Sequence, residues 1–365
     1  MSHDDCGFGL NILEVGAKGN GIDDDTAAIQ DAIDFMARRG GGRICFPYTP
    51  NGYRIASPAN PESRAQITIP PGRHNILLEG EMPCRMLNSY MVRPMGGPYP
   101  ATTFEMKRDN TFLFSDWEAP EEHDPLARPW SLLGCNEGKL FNGKFSAFMF
   151  SIRNLEFRVK LNPEKMYPTQ SAVNLQNVSR VNIQDSQFCL TRNVGDAASG
   201  KELLENPCHT AGLIASGDQN DNNVLRNVAS QGFKYGFVLG EHVIADYLYV
   251  HNSEYALVFH DSSHVSFIQH VVAQHNQRIL CTVPYDLFGM PRGKCVVSIG
   301  SIDFEPGRAG QRPEVSLMTH GVWDPENRLM GELKYFSGCP FNLDFFPVEG
   351  GERMKVEKLV PDLKS

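Results

Sequence analysis

The chain has 365 residues, with 34 Lys and Arg against 43 Asp and Glu, and a formal net charge of -9. Hydrophobic residues make up 41% of it, enough for a sizeable core. The negative charge disfavours nucleic acid or an anionic membrane as a partner, because both need a basic surface. It leaves room for a local basic cleft. No apolar run reaches the length of a membrane span.

Cysteine usage and the start of the sequence bear on the compartment. The nine cysteines are scattered and include no CxxC pair, so they predict reduced, mostly buried thiols in a reducing compartment. The opening "MSHDDCGFGLN" has no basic region followed by an apolar run, so no signal peptide is predicted. The expected location is the cytoplasm, although a secreted protein with its leader trimmed would give the same sequence.

The first predicted element is a short amphipathic helix over Thr26–Arg39. Its apolar positions recur at helical spacing: Ala28, Ile29, Ala32, Ile33 and Met36. Asp24 or Asp25 is expected to cap its start, and Gly40 to end it. The segments "RICFP" and "NGYRIAS" that follow predict two short strands.

The glycine-rich turn before this helix could be read as a phosphate-binding loop. Such a loop needs a lysine and a hydroxyl residue after its second glycine. Here Gly21 is followed by Ile22 and then by three aspartates, Asp23 to Asp25, which would repel a phosphate. The stretch is therefore interpreted as a turn, a helix cap and a short helix that covers a core.

The stretch "GAKGNGIDDDTAAIQDAID...GGGRICFP" resembles the N-terminal signature of the pectate-lyase-like, right-handed parallel β-helix superfamily. That superfamily includes polygalacturonase-related hydrolases (glycoside hydrolase family 28-related and pectate lyase 3-type proteins), exo-glucanases, alginate epimerases and phage tail spikes. The resemblance implies an all-β solenoid, a single-stranded right-handed parallel β-helix with a short N-terminal capping helix. It also implies a carbohydrate substrate, and it suggests a homo-oligomer, a trimer.

The middle of the chain supports a solenoid independently. Five segments between residues 151 and 283 share one pattern, a short alternating strand, an Asn or His near a bend and a second short strand. Where units abut, the period is roughly 20–25 residues, the size of a solenoid coil. His251-Asn252 and His275-Asn276 are predicted to occupy like positions in consecutive coils, where they can form structural ladders. Three parallel sheets are expected.

The domain prediction is a single β-helix over residues 1–365. The N-terminal cap and first coil are placed at about 8–60, an insertion-rich region at about 81–143, regular coils at about 150–315 and a C-terminal cap at about 316–365. A second interruption of the coil spacing is expected near residues 195–210. Insertions in a solenoid emerge as loops on one face, often the binding face.

The strongest carboxylate constellation is "SIDFEPGR", in which Asp303 and Glu305 flank Phe304. On a strand their β-carbons would lie about 6–7 Å apart on one face, while Ile302 and Phe304 face the core. A glycosidase needs two such carboxyl groups. Asp303 and Glu305 are therefore predicted to be catalytic, the alternative being a solvated strand edge before a turn.

A second constellation is rich in His and acidic residues. A sugar-binding groove is expected from residues that stacked coils could bring together: His251, Glu254, His260, Asp261 and His275. Arg278 and Arg308 are added because arginine binds carboxylates in a bidentate manner. No metal site is predicted, since the strand-turn "HDSSH" does not converge as helical ligands would. Structural ladders remain the alternative for each residue.

The predicted function is a glycoside hydrolase that cleaves a polysaccharide or oligosaccharide by paired-carboxylate catalysis without a cofactor. One alternative is a polysaccharide lyase acting on a uronate-containing glycan, with Ca²⁺ as its cofactor. Another is a non-catalytic glycan-binding or tail-spike-type module. The Asn-Thr-Asp, Asp-Asp, Gly-His-Gly and Arg-Ile-Lys motifs of polygalacturonases are absent from the coil region, as is the Asp-Pro-His-Glu motif of alginate epimerases. The resemblance therefore carries over no catalytic residue.

Overall fold

The structure is a computed structural model. It describes residues 9–84, 110–120, 126–135, 147–160, 170–176, 178–193, 196–197, 209–216, 222–259, 266–274, 276, 278–282, 287–290, 296–305, 316–318, 328–329 and 335–337. Within these ranges the chain forms one α-helix, α1, and strands β1 to β23.

Helix α1 spans Thr26–Arg38, which confirms the predicted helix. Ile29, Ala32, Ile33 and Met36 are buried on one face, as their spacing requires. The helix packs against the strands of the first two coils and covers the apolar end of the solenoid. Its last residue is Arg38 rather than Arg39, because Arg39 is the C-terminal cap.

The two aspartates directly before the helix, Asp24 and Asp25, have different hydrogen-bond partners. The carboxylate of Asp25 accepts the backbone N–H of Lys18 at 2.5 Å and that of Gly19 at 3.2 Å, so it fastens the glycine turn and makes no side-chain cap bond. Asp24 accepts the N–H of Thr26 at 3.0 Å, and also binds the N–H of Ala56 and the hydroxyl of Ser57. Asp25 is thus the N-cap residue by position, but the carboxylate that accepts a free N–H at the helix start is that of Asp24.

The pKa values of the two aspartates move in opposite directions. Burial tends to raise the pKa of Asp24, but the hydrogen bonds from Thr26, Ala56 and Ser57 outweigh it, so the pKa lies below its ordinary 3.8. Burial raises the pKa of Asp25 above 3.8, against the opposing backbone hydrogen bonds. Ionised Asp24 therefore stabilises the cap, whereas burial makes ionisation of Asp25 less favourable than in water.

Replacing Asp24 by alanine is expected to lower the free energy of unfolding by about 1–2 kcal/mol near neutral pH, because several donors lose their acceptor. A folded-state pKa below 3.8 means that this contribution is present above pH 3.8 and is lost as the pH falls through the folded-state value. Urea unfolding of wild type and Asp24→Ala at several pH values measures it. Asp23→Ala, which removes an exposed neighbouring carboxylate, should cost less than about 0.5 kcal/mol; equal losses in both variants would contradict the assignment.

The strands are short and follow one another without intervening helices. In chain order they are β1 (Leu10–Asn11), β2 (Gly41–Phe46), β3 (Tyr53–Ile55), β4 (Ala65–Ile69), β5 (Gly72–Gly80), β6 (Phe112–Ser115), β7 (Trp130–Cys135), β8 (Ala147–Arg153), β9 (Glu156–Lys160), β10 (Gln170–Asn174), β11 (Val178–Asn193), β12 (Asp196–Ala197), β13 (Thr210–Ala215), β14 (Asn223–Gln231), β15 (Tyr235–Leu239), β16 (Val243–His251), β17 (Tyr255–Phe259), β18 (Ser266–Gln274), β19 (Arg278–Thr282), β20 (Val296–Glu305), β21 (Ser316–Met318), β22 (Arg328–Leu329) and β23 (Tyr335–Ser337).

These strands wind a right-handed parallel β-helix, as the sequence predicts. They pair into two sheets rather than the expected three: a 15-stranded sheet and an 8-stranded sheet, β21-β19-β17-β15-β13-β10-β7-β4. The larger sheet bends partway along its long strands. Strand β11 shows this, since it pairs with β8 up to Gln184 and with β9 from Gln187 onward. Strands β14, β16, β18 and β20 continue across the same bend.

Three faces result from this bend. The first face holds β1, β2, β5, β8 and the first parts of β11, β14, β16, β18 and β20. The second face holds β3, β6, β9 and the second parts of those five long strands, and the third face is the 8-stranded sheet. The bend is made by residues with positive φ, Asn154, Asp185 and Asn227, whose short polar side chains tolerate that conformation.

The register gives the coil period. Gln231 pairs with His251 and His251 with Gln274, so consecutive coils are 20 and 23 residues apart, as predicted. Cys189 pairs with Gln231, so the expected interruption near residues 195–210 lengthens that coil to 42 residues. Within the predicted insertion-rich region, β6 and β7 are strands of the second coil and pair with β9 and β10.

The interior of the coils is apolar and continuous from the helix to Ile302. At the turn after the second face, Asn276 donates to the carbonyl of Val250 at 2.9 Å and accepts the N–H of Ser253 at 2.8 Å in the coil below. Asn276 therefore makes the cross-coil hydrogen bonds expected of a structural asparagine at a bend. The two His-Asn pairs are not in like positions, however, because His251 pairs with Gln274.

Four cysteines have described side chains, and all four are buried and in no disulfide: Cys45, Cys84, Cys135 and Cys189. Burial raises the pKa of the Cys84 thiol well above 9.0, and the nearby Glu156 adds to the effect. These four residues confirm the prediction of reduced, buried thiols.

Candidate functional site

The outward side of the second face carries a dense set of polar residues at its C-terminal end. Along β16, β18 and β20, alternate residues point away from the core, because Leu248, Val250, Val271, Ala273 and Ile302 between them are core residues. The described side chains at these alternate positions define what we call the second-face patch, which is polar apart from Val272: Tyr247, Tyr249 and His251 on β16, His270, Val272 and Gln274 on β18, and Ser301 on β20.

Hydrogen bonds and ring contacts join the described side chains of this patch. The hydroxyl of Tyr249 donates to Oε1 of Gln274 at 2.5 Å, and the Tyr249 ring lies parallel to the imidazole of His251, with centroids 6.3 Å apart. On the neighbouring row, the Tyr247 ring lies 5.5 Å from that of His270, whose Nδ1 is 2.5 Å from the Ser301 hydroxyl. The side chains hold one another in fixed orientations across three coils.

The side chains of the patch differ in solvent exposure. His251 is 3% exposed and Tyr249 is 6% exposed, whereas Tyr247, His270 and Ser301 are half-buried. A polar group that is shielded from water exerts stronger electrostatic effects than one in solution. The half-buried row would give a ligand access, and the buried row would provide groups whose hydrogen bonds are not diluted by solvent.

The backbone register sets the predicted catalytic pair on β20, the strand next to β18 of this patch. Asp303 pairs with Val272, and Glu305 pairs with Gln274. Ile302, the residue of β20 before Asp303, is fully buried, as predicted. Across the three strands, the backbone positions of Tyr249, Val272 and Asp303 form one row, and those of His251, Gln274 and Glu305 form another. The side chains of Asp303, Phe304 and Glu305 lie outside the described part of the chain, so the predicted carboxyl separation stays a prediction.

Two other predicted binding residues lie away from the patch. Glu254 is in the turn between β16 and β17, and its carboxylate pairs with Lys234 at 3.7 Å. Arg278 begins β19 on the third face, where its backbone pairs with Tyr255. The turn after His251 moves the chain onto another sheet, so the backbones of Glu254 and Arg278 lie away from the strand of the acid pair, and their predicted role in sugar binding stays a prediction.

The remaining predicted binding residues, His260, Asp261, His275 and Arg308, lie outside the described residues. Sequence reasoning missed Tyr249, Gln274 and Ser301 as members of the patch. Their signal was the alternation in "YLYVH", "HVVAQ" and "SIDFE", which becomes informative only when the three segments are set in register.

A buried ion pair lies on the second face, several coils before the patch. Arg158 donates from Nε to Oε1 of Glu156 at 2.7 Å and from Nη2 to Oε2 at 2.9 Å, and Asn110 donates to the same Oε2 at 2.9 Å. The Arg158 guanidinium also stacks on the Phe112 ring, 3.5 Å from its centroid. The pair fixes the early part of the face on which the patch is built.

The described residues also bear on metal binding and on membrane insertion. No group of three or more His, Cys, Asp or Glu side chains is positioned to hold a metal ion in the described ranges. No helix in that part of the chain is long and apolar enough to cross a membrane.

The fold and register define a right-handed parallel β-helix protein with a polar patch on its second face. No family model matches the chain. The mannuronan C5-epimerase AlgE6 of Azotobacter vinelandii is 39% identical over 70 residues, which are 19% of this chain and 7% of that protein. The match thus spans a small fraction of the relative.

Among solved structures, the chain is similar to the AlgE6 A-module of A. vinelandii, with 16% identity, a TM-score of 0.31 and coverage of 90% of this chain and 76% of that one. It is also similar to the tailspike protein of E. coli bacteriophage HK620, with 10% identity, a TM-score of 0.45 and coverage of 92% and 64%. For rice weevil pectin methyl esterase the values are 9%, 0.39, 85% and 86%. These proteins differ in activity, and likeness at this level selects none of them.

Proposed function

We propose that this protein acts on a polysaccharide or oligosaccharide as a glycoside hydrolase, and that its reaction takes place at the second-face patch. The observation that carries the proposal is the register, which pairs Asp303 with Val272 and Glu305 with Gln274, with Tyr249 and His251 on the next strand beyond. A glycosidase requires two carboxyl groups and a surrounding set of hydroxyl, amide and ring groups to hold the sugar. The 39% match to a polysaccharide epimerase over 70 residues is consistent with a glycan substrate.

In this mechanism one carboxyl group protonates the glycosidic oxygen while the other removes a proton from water. The water attacks the anomeric carbon, and the bond to the leaving sugar breaks. A β-carbon spacing of about 6–7 Å along one strand lies near the lower edge of the range of roughly 6.5–9.5 Å found in inverting enzymes. Inversion is therefore the expected stereochemical outcome, and no cofactor takes part.

A second candidate is uronate chemistry, in which a base removes the proton next to a carboxylate and elimination or epimerisation follows. The observation in its favour is the hydroxyl of Tyr249, which is hydrogen-bonded to Gln274 and stacked beside His251. Tyrosine and histidine side chains can act as acid and base in such proton transfers. The local match to a C5-epimerase points in the same direction. Ca²⁺ belongs to this candidate as the charge partner of the uronate carboxylate.

The products decide between these candidates. Purified protein is incubated with a panel of plant, algal and bacterial glycans, and reducing ends, far-ultraviolet absorbance and uronate stereochemistry are followed together. We expect new reducing ends without new absorbance. Absorbance that rises with cleavage would assign a lyase, and altered stereochemistry without cleavage an epimerase. Binding without any product would assign a glycan-binding module.

A further inference from the structure

The outward side of the first face carries a long open trough that the proposed reaction does not use. One groove, of about 400 Å³, crosses the first four coils and is lined at its far end by Asn182 and Gln184. A second groove, of about 470 Å³, crosses the next four and begins at Val224 and Arg226. Asn182 pairs with Val224 and Gln184 with Arg226, so the two grooves adjoin.

The trough is long and straight. It runs over eight parallel strands, from the Gly40–Gly42 segment to Gly300. Neighbouring strands are about 4.8 Å apart, so the trough extends for roughly 33 Å along the helix axis. This shape suits a linear polymer that lies across the coils better than it suits a compact small molecule.

An apolar platform forms the floor of the second groove. Ile244 is 51% exposed and Phe267 is 55% exposed, and the two residues are directly paired in register on neighbouring strands. Single exposed apolar residues are ordinary on a protein surface, but an adjacent pair inside a groove offers a continuous contact area. An aromatic face and an aliphatic side chain match the apolar C–H face of a pyranose ring.

An arginine, Arg226, lies beside this platform. Arg226 lines the groove, is exposed, and makes no hydrogen bond or ion pair with the part of the chain that the structure describes. Arg153, in the first groove, is already paired with Glu79. The carboxylate of Asp246 is engaged by the N–H groups of Asn227, at 2.9 Å, and of Tyr247, at 2.6 Å.

We infer that the trough is a second glycan-binding surface, and that it takes an anionic polysaccharide. The guanidinium of Arg226 would hold a carboxylate of the polymer while Phe267 and Ile244 contact the adjacent sugar ring. Guanidinium pairs with carboxylates in a bidentate manner, and amides such as those of Gln184 and Gln269 can bind ring hydroxyls. This surface lies on a different face from the second-face patch and requires no catalysis.

A second copy of the chain fits this face less well than a polysaccharide does. Each copy carries a net charge of -9, so two copies repel each other as they approach. The apolar floor is also narrow and bordered by polar side chains, whereas a stable dimer buries about 800 Å² on each partner. A polymer that binds through a row of local contacts needs no such area.

The test measures binding of polygalacturonate, polymannuronate and neutral dextran to the full chain by affinity electrophoresis and titration calorimetry. Wild type is expected to bind at least one uronate polymer and not dextran, with affinity that falls as salt is added. Arg226→Ala should weaken uronate binding by about tenfold or more. Phe267→Ala should weaken it by a similar factor.

Two matched variants control for charge and for apolar surface. Arg38→Ala removes an exposed arginine from the capping helix, and Ile22→Ala trims a side chain that is 74% exposed on the cap. Both should bind as wild type does. Equal weakening by Arg38→Ala, no binding by wild type, or a wild-type dimer that Phe267→Ala dissociates would each overturn the inference.

The result of this binding test can be distinguished from the result of the activity test of the proposed hydrolase. Asp303→Asn should keep wild-type affinity for the polymer even where it abolishes turnover, because Asp303 lies on another face of the helix. Loss of binding in Asp303→Asn, with Arg226→Ala unaffected, would place the glycan at the second-face patch alone and would refute the second surface.

Discussion

Asp303→Asn and Glu305→Gln are each expected to lose about 100- to 10,000-fold in turnover on the glycan that the wild-type protein cleaves. Each change removes the ability of one carboxyl group to give or take a proton at the reacting bond, while the size of the side chain is kept. The rate of reducing-end release at saturating substrate measures the effect. Far-ultraviolet circular dichroism and the melting temperature establish that each variant stays folded.

The matched control is Glu254→Gln. Glu254 is a carboxylate of the neighbouring turn that pairs with Lys234 and lies outside the patch, so this variant should keep wild-type turnover. If Asp303→Asn and Glu305→Gln both retain nearly full activity, the assignment is wrong. The reaction would then have to be sought among the other predicted residues, first at His260 and Asp261.

Arg158→Met is expected to lower the free energy of unfolding by about 3–5 kcal/mol, because it leaves the carboxylate of Glu156 buried without its counter-charge. The Arg158 and Glu156 side chains are 2% and 1% exposed. Breaking such a buried pair from one side is far more costly than losing a surface ion pair. Urea unfolding, followed by circular dichroism, measures the change.

The double variant Glu156→Gln/Arg158→Met tests the cause. It removes both charges, and the glutamine amide still offers Asn110 an acceptor oxygen, so it should be more stable than Arg158→Met alone. Lys234→Met, which breaks the more exposed pair with Glu254, should cost less than about 1 kcal/mol. A double variant no more stable than the single one would show that lost packing, not the unpaired charge, dominates.

The local pattern was enough to predict the capping helix, the short strands and the coil period. The buried face of α1 and the core positions in β16, β18 and β20 follow directly from the spacing of apolar residues. The capping role of Asp24 was also readable, because a carboxylate before a helix has few better partners than the free N–H groups there.

The arrangement in two sheets could not be predicted from the spacing of apolar residues. Whether the chain breaks or merely bends between two faces depends on the φ angles of single residues such as Asp185 and Asn227, and these side chains are compatible with either course. The separation of Glu254 and Arg278 from the acid pair has a related cause. Residues near in sequence are carried onto different sheets by a turn of a few residues, while residues 23 or 31 apart become neighbours.

The unbroken pairing of Gln231 with His251, 20 residues later in the chain, means that this part of the protein can be lengthened in whole units. An in-frame tandem duplication of the segment from Gly232 to His251 would return the backbone to the same register, with every apolar side chain inside and every groove residue outside. In a solenoid each unit contacts only its neighbours, so stability grows with each added unit. Gene duplication could thus lengthen the ligand track by one strand spacing at a time without redesigning the interior.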